Sequence, residues 1–272
     1  MNFFKNILFL SQLTTNNIKE YFKSREAVSS EPISTNSINW YGHATTIINL
    51  SDKIILTDPV LSNYLGHFFK RLVDKPYELK GKKFDYILLS HGHMDHMDFP
   101  SLRKLDKTAT IIVPKGYKGL MKVFGFKKII VLRHDEIYED EHIKITSIKP
   151  VHDGRRYYMG IDDESHSYLI ERNSKKVFFA GDTAYTESFT SLECDVALMP
   201  VGCYKPDRFA YMHCTPEESY KMFKMMNCPA MIPIHYKTFK ISLEISQDTT
   251  DILKNFNDED LKIINIGQTY KL

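Results

Sequence analysis

The chain has 272 residues, of which 43% are hydrophobic and 26% charged, a composition that supports a packed core and excludes a disordered or fibrous protein. Its 36 Lys and Arg stand against 34 Asp and Glu, leaving a net charge of +2, so nothing marks a nucleic-acid partner and the expected partner is a small molecule. Four cysteines, Cys194, Cys203, Cys214 and Cys228, show no C-x-x-C spacing and read as reduced thiols of a cytoplasmic protein rather than a zinc ribbon or a disulfide scaffold.

Met1–Leu13 places apolar residues around Lys5, but its longest apolar run, Ile7–Leu10, is far short of the ~20 residues needed to span a bilayer. No Ala-x-Ala cleavage site follows it, so a surface-lying amphipathic segment or a docked terminus is expected. Thr14–Ser37 is polar and reads as a poorly ordered lead-in, which sets 1–37 apart from a domain at 38–272. Short β-branched runs then predict strands at Ala44–Leu50, Lys53–Leu56, Tyr86–Leu89, Ala109–Val113, Lys128–Leu132 and Ile143–Ile148. Further strands are predicted at Ser167–Ile170, Val177–Ala180, Val196–Met199, Met231–Ile234 and Leu261–Ile266.

Ser51-Asp52 and Asn173-Ser174 are turn pairs that make hairpins of the strands beside them. Leu61, Tyr64, Leu65, Phe68, Phe69 and Leu72 recur at helical spacing with lysines nearby, predicting an apolar helical stripe with basic flanks that either packs on the domain or meets lipid. Thr215-Pro216-Glu217-Glu218 predicts a capped helix through Met226, with Met222, Met225 and Met226 as core filler. Strands that are apolar throughout imply an α/β fold of two sheets packed face to face with helices outside, which buries both faces of each sheet.

The densest chemical signal is Ser90-His91-Gly92-His93-Met94-Asp95-His96, three imidazoles and a carboxylate directly after a predicted strand. Such a cluster packs poorly but ligates zinc, manganese or iron well. His152, Asp182 and His235 each stand where another apolar run stops. Any one of these is ordinary turn chemistry, but their recurrence at strand ends points to one shared metal site.

In that order, His91-x-His93-x-Asp95-His96, His152, Gly181-Asp182 and His235, the chain resembles the metallo-β-lactamase fold hydrolases over about residues 38–268. Trp40-Tyr41-Gly42-His43-Ala44-Thr45, Leu56-Thr57-Asp58-Pro59, Pro200-Val201-Gly202-Cys203-Tyr204 and His213-Cys214-Thr215-Pro216 look like the branch containing N-acyl-phosphatidylethanolamine-hydrolysing phospholipase D. The segment Gly66–Lys83 departs from that branch. The resemblance implies an αββα four-layer sandwich with a binuclear site at the sheet edge. It implies that His91, His93 and His152 hold one metal and Asp95, His96 and His235 a second, with Asp182 bridging.

A water shared by two such cations becomes a hydroxide near neutral pH, so no serine or cysteine nucleophile is needed. His43 and Asp58 are expected to orient ligands, and His213, just before a helix, to contact a phosphate or the leaving group. Arg155, Arg156, Tyr157 and Tyr158 are candidates for the pocket wall. The expected activity is phosphodiester hydrolysis on a phospholipid-like or small substrate, with lactone or carboxylic ester hydrolysis as the alternative on the same fold. Nucleic-acid processing and metal binding without catalysis fit the residues less well. The expected cofactors are two divalent ions, zinc or else manganese or iron, and contact with a membrane surface is compatible with the lipid reading.

Overall fold

A computed structural model describes residues 3–156 and 164–272. The elements are α1 (Phe3–Tyr21), β1 (Ser37–Gly42), β2 (Thr45–Leu50), β3 (Lys53–Thr57), β4 (Tyr64–Leu65), β5 (Phe69–Lys70), β6 (Tyr86–Leu88), α2 (Phe99–Lys104), β7 (Thr110–Pro114), α3 (Lys118–Val123) and β8 (Lys128–Leu132). They continue with β9 (Ile137–Glu139), β10 (Lys144–Ile148), β11 (Ser167–Arg172), β12 (Lys175–Phe179), β13 (Val196–Pro200), α4 (Pro216–Lys224), β14 (Met231–Ile234), α5 (Ser246–Asn255) and β15 (Thr269–Lys271). One sheet runs β15-β1-β2-β3-β6-β7-β8, the other β14-β13-β12-β11-β10-β9, and β4 pairs with β5.

The period of two along each strand assigns its side chains to layers. In the first sheet Ile48, Ile55, Tyr86, Leu88 and Ile112 face the second sheet's Ile145, Tyr168 and Ile170 in one cluster. Their neighbours Ile47, Leu56, Ile87, Leu89, Ile111 and Val113 join Leu102 of α2 and Met121 of α3 in another. On the second sheet Phe178 and Leu198 are buried together with Met222 and Phe223 of α4 and Leu253 of α5. Both faces of both sheets are therefore covered, which is the αββα arrangement and explains the unbroken apolar strands.

The two expected hairpins form, and Ser51, Asp52, Asn173 and Ser174 all carry positive φ, between 46° and 65°, as the two-residue turn requires. Thr215 caps α4 with a reciprocal bond to Glu218.

Three expectations are corrected. Leu61–Leu72 is not a helix: Gly66 and His67 adopt φ of 54° and 68°, reversing the chain between β4 and β5. The helical spacing of its apolar residues is coincidental. Leu61 and Leu65 point into the protein, whereas Tyr64 and Phe68 stand in solvent. Leu261–Ile266 contributes one bridge, Leu261 to Met231 at the start of the edge strand β14, and no strand. Thr14–Tyr21 is helical rather than irregular. Leu13 and Asn17 lie on the inner face of α1, where the Asn17 amide donates to the Lys240 carbonyl at 2.8 Å. The Lys70 ammonium satisfies the last carbonyls of the helix at Glu20 and Tyr21, 3.1 and 3.2 Å away.

Candidate metal centre

Strands β3, β6, β10, β12, β13 and β14 all run toward the same edge of the sandwich, and the chain leaves each of them into the site. After β6 it turns tightly: the amides of His96 and Met97 donate to the His93 carbonyl at 3.1 and 2.8 Å. The Arg156 guanidinium fastens this turn by donating to the carbonyls of Gly92 and Met97 at 3.1 and 2.8 Å. Only glycine fits at position 92, where a Cβ would lie 1.7 Å from the Tyr117 hydroxyl and 2.9 Å from the Gly154 carbonyl. Gly181, at φ 61°, delivers Asp182 from β12, and His235 leaves β14 at φ 66° with its amide bonded to the His43 carbonyl at 3.0 Å.

All seven residues named from the sequence as ligands meet here, in two groups. His91, His93, His152 and Asp182 have ligand atoms within 4.8 Å of one another, and so do Asp95, His96, His235 and His43. Asp182 lies between the groups. Its Oδ2 is 3.1 Å from His96 Nε2, 3.9 Å from His91 Nε2, 4.0 Å from His152 Nε2 and 3.8 Å from His213 Nδ1, while its Oδ1 is 3.1 Å from His235 Nε2.

A layer of bonds fixes the imidazoles from behind. The buried Asp58 carboxylate accepts from the Ser90 amide at 2.7 Å, the Ser90 hydroxyl at 2.5 Å and His96 Nδ1 at 2.7 Å. The Ser90 hydroxyl also lies 2.9 Å from His91 Nδ1, and His152 Nδ1 is 2.8 Å from the Met212 carbonyl that accepts from it. Each bond assigns the Nδ1 proton and turns the Nε2 lone pair into the site. His43 Nε2 is 2.9 Å from Asp95 Oδ2, so His43 steadies Asp95 and does not reach Asp58 as a partner.

Burial, reinforced by the neighbouring imidazoles, holds the pKa of His91 well below the usual value and that of His93 at about 4. Burial likewise lowers His43, to about 3. At His96 burial acts in the same direction, but Asp182, Asp95 and Asp58 outweigh it and raise the pKa to about 10. Burial opposes the charge of Asp182 too, yet His235 and His96 keep its carboxyl well below the ordinary range.

This donor set fits divalent cations. His91 Nε2 and both oxygens of Asp182 are buried without a hydrogen-bond partner, and the Nε2 atoms of His96 and His235 face each other at 3.1 Å. Such convergent lone pairs, shielded from water, repel one another unless protons or cations lie between them.

The pocket above them has a volume of about 230 Å³, with His93, Asp95, Asp182, Cys203 and His213 at its base and Phe69, Met94, Phe209, Met212 and Ile241 as walls. Arg155 and Arg156 are not among its lining residues, because Arg155 pairs with Asp153 at 2.6 Å and Arg156 stacks on Phe99 at 3.7 Å. Tyr157 and Tyr158 lie outside the described residues. Ser90 was not singled out from the sequence. Its only signal there is its place directly before His91, and its function arises from contact with Asp58, distant in the chain.

The two-sheet sandwich thus carries at its edge a buried His and Asp cluster able to bind metal. The chain belongs to the β-lactamase superfamily: residues 53–236 match the model described as "Beta-lactamase superfamily domain". An uncharacterized protein of Mycobacterium tuberculosis is 25% identical over 226 residues, covering 76% of this chain and 60% of that protein. The chain thus spans less than two thirds of that relative's length. The N-acyl-phosphatidylethanolamine-hydrolyzing phospholipase D 1 of Caenorhabditis elegans is 27% identical over 256 residues, covering 82% of this chain and 70% of that one. A crystal structure of a possible metal-dependent hydrolase from Veillonella parvula superposes with a TM-score of 0.73 at 17% identity, covering 88% of this chain and 100% of that one, and shares the fold.

Proposed function

We propose that the chain is a binuclear phosphodiesterase acting on a phospholipid-like diester. The observation that carries this reading is Asp182 standing between two His-rich donor groups at the floor of an apolar-walled pocket. His91, His93 and His152 would hold one cation and Asp95, His96 and His235 the other, with Asp182 shared; imidazole-rich donors suit zinc, with manganese or iron as substitutes. Two bound cations would supply a nucleophile from water at neutral pH and offset the charge developing on phosphorus.

The chain's own residues do the rest. Asp58 and Ser90 keep the His96 and His91 lone pairs aimed inward, and His43 steadies Asp95. His213, at the pocket floor with Nδ1 3.8 Å from Asp182, stands where it can donate to a leaving oxygen. The walls exclude water from the reacting centre and accept acyl chain.

The lipid part of the reading is supported by the surface around the pocket mouth. Phe9 of α1 meets the wall residue Phe209 edge-on at 5.3 Å, and Phe68 meets Phe69 at 5.1 Å. Phe4, Ile7, Leu8 and Leu10 of α1 stand in solvent, as do Phe68 and Tyr211, Phe4 being 79% exposed. A helix that touches a pocket wall through Phe9 and carries exposed apolar side chains suits a lipid or protein contact, and Lys5 and Lys19 on the same helix suit anionic headgroups. Among the described residues no helix is long and apolar enough to cross a membrane, so the contact we propose is peripheral. The C. elegans relative, by its name, hydrolyses a phospholipid of this kind.

The test loads the metal-free chain with zinc and offers bis(4-nitrophenyl) phosphate, a long-chain phosphatidyl diester in vesicles and a set of lactones and carboxylic esters. Metal-dependent cleavage of both diesters is expected, faster on the long-chain one. A folded, loaded chain that cleaves lactones or esters and neither diester would refute the proposal in favour of the ester reading.

A further inference from the structure

Two of the four cysteines lie together at the far end of the strands from the metal centre. Glu193 and Asn227 form a parallel bridge just before β13 and β14, and Cys194 and Cys228 each follow the bridged residue by one. Neighbouring strands are ~4.8 Å apart, within the Cα separation of about 4.4–6.8 Å that a disulfide tolerates. The two sulfurs face each other at 2.7 Å, closer than unbonded sulfur atoms rest. Cys228 is partly open to solvent, and Cys194, itself buried, lines a surface cavity of about 430 Å³ with Asp195, Asn227, Lys176, Glu193 and Ser174. The contact with Cys194 holds the Cys228 thiol below its usual pKa, which favours the reactive thiolate. Cys203 and Cys214 are buried elsewhere, Cys203 at the pocket floor and Cys214 against the Pro200 carbonyl.

We propose that Cys194 and Cys228 are an oxidation site that closes to a disulfide when the chain meets a peroxide. The Cys228 thiolate attacks one peroxide oxygen, the O–O bond breaks, and the departing hydroxide takes up a proton to leave as water. Cys228 is then a sulfenic acid. The Cys194 sulfur attacks it, the S–O bond breaks, and the hydroxyl leaves as a second water with the Cys194 proton. Each sulfur loses one electron and the two peroxide oxygens gain them.

The closed loop, Cys194 to Cys228, holds β13, Cys203, Phe209, His213 and α4 and ends just before β14, so the cross-link ties together the base of the unit that carries one pocket wall. Its effect is on resistance to unfolding, because the loop it closes costs the unfolded chain conformational freedom.

The intact folded chain is treated with about one equivalent of hydrogen peroxide, unfolded, and its free thiols counted; the linked peptides are then identified by tandem mass spectrometry without reduction. The expected result is a fall from four thiols to two, a Cys194–Cys228 linked peptide, and a Tm raised by roughly 5–10 °C. Cys194→Ala and Cys228→Ala, which fold without the pair, are each expected to show neither the linked peptide nor the Tm rise. Four thiols remaining after treatment, or a disulfide mapped to Cys203 or Cys214, would overturn the proposal.

Discussion

Replacing Asp58 by Asn leaves the shape of a fully buried side chain intact and removes one acceptor from a site that uses three. Asp58 Oδ1 accepts from the Ser90 amide at 2.7 Å, and Oδ2 accepts from the Ser90 hydroxyl at 2.5 Å and from His96 Nδ1 at 2.7 Å. If the amide oxygen keeps the first bond, the amide nitrogen faces His96 Nδ1, which must then become an acceptor. The His96 proton moves to Nε2, the atom that faces His235 Nε2 and Asp182 Oδ2 at 3.1 Å each. If the amide flips, its nitrogen meets the Ser90 N–H donor to donor. The flipped amide loses a buried bond, at about 1–3 kcal/mol of stability, whereas the unflipped one keeps the bond to His96 with its direction reversed. The reversed tautomer should weaken metal binding roughly 10–100-fold, the range for removing a carboxylate behind a ligating imidazole, which is about 1.4–2.7 kcal/mol. The assay is zinc competition against a chromophoric chelator on wild type and Asp58→Asn, with circular dichroism to establish that both are folded. Equal affinity in a folded variant would refute the argument that Asp58 sets the His96 tautomer.

Gly202→Ala would place a Cβ 2.0 Å from the His235 carbonyl, so the variant should be destabilised by about 1–3 kcal/mol and lose zinc from the second group, checked by urea unfolding and metal analysis. Thr215→Ala removes the reciprocal cap of α4 and should cost about 1 kcal/mol in urea unfolding with metal content unchanged. The metal-free chain should lose stability as pH rises. The His96 pKa is raised from 6.5 to about 10 in the folded state, so its contribution is fully present below 6.5 and is lost as pH climbs toward 10. Thermal melts of stripped protein across that window test the sign, and a Tm that rose with pH would contradict it. Zinc affinity should move the other way, because the imidazole must lose its proton to ligate.

Although it placed a strand at Leu261–Ile266 and missed β1, β4, β5, β9 and β15, the sequence by itself determined ten of the fifteen strands among the described residues, the two hairpins at Ser51 and Asn173, the capped helix at Thr215 and the chemical character of the site. Those features are local: an apolar run, a turn pair or a cap is decided by neighbours in the chain, and each polar residue at the end of an apolar run was visible beside it. It could not decide Leu61–Leu72, whose apolar spacing suits a helix as well as a hairpin. The left-handed turn at Gly66 and His67 lets Leu65 pack with Val60 and Phe239, a partner 174 positions away. Nor could it find Thr14–Tyr21 as helix, since the groups that hold α1, Lys70, Lys240 and Phe209, are far from it along the chain. The same holds within the site. His91 to His96 stood out as a string, but the closeness of Asp182 to five imidazoles, the grip of Asp58 on Ser90 and His96, and the meeting of Cys194 with Cys228 exist only where separate strands end at the same place. Long-range juxtaposition is set by sheet order and layer packing, which leave no mark in any short stretch of sequence.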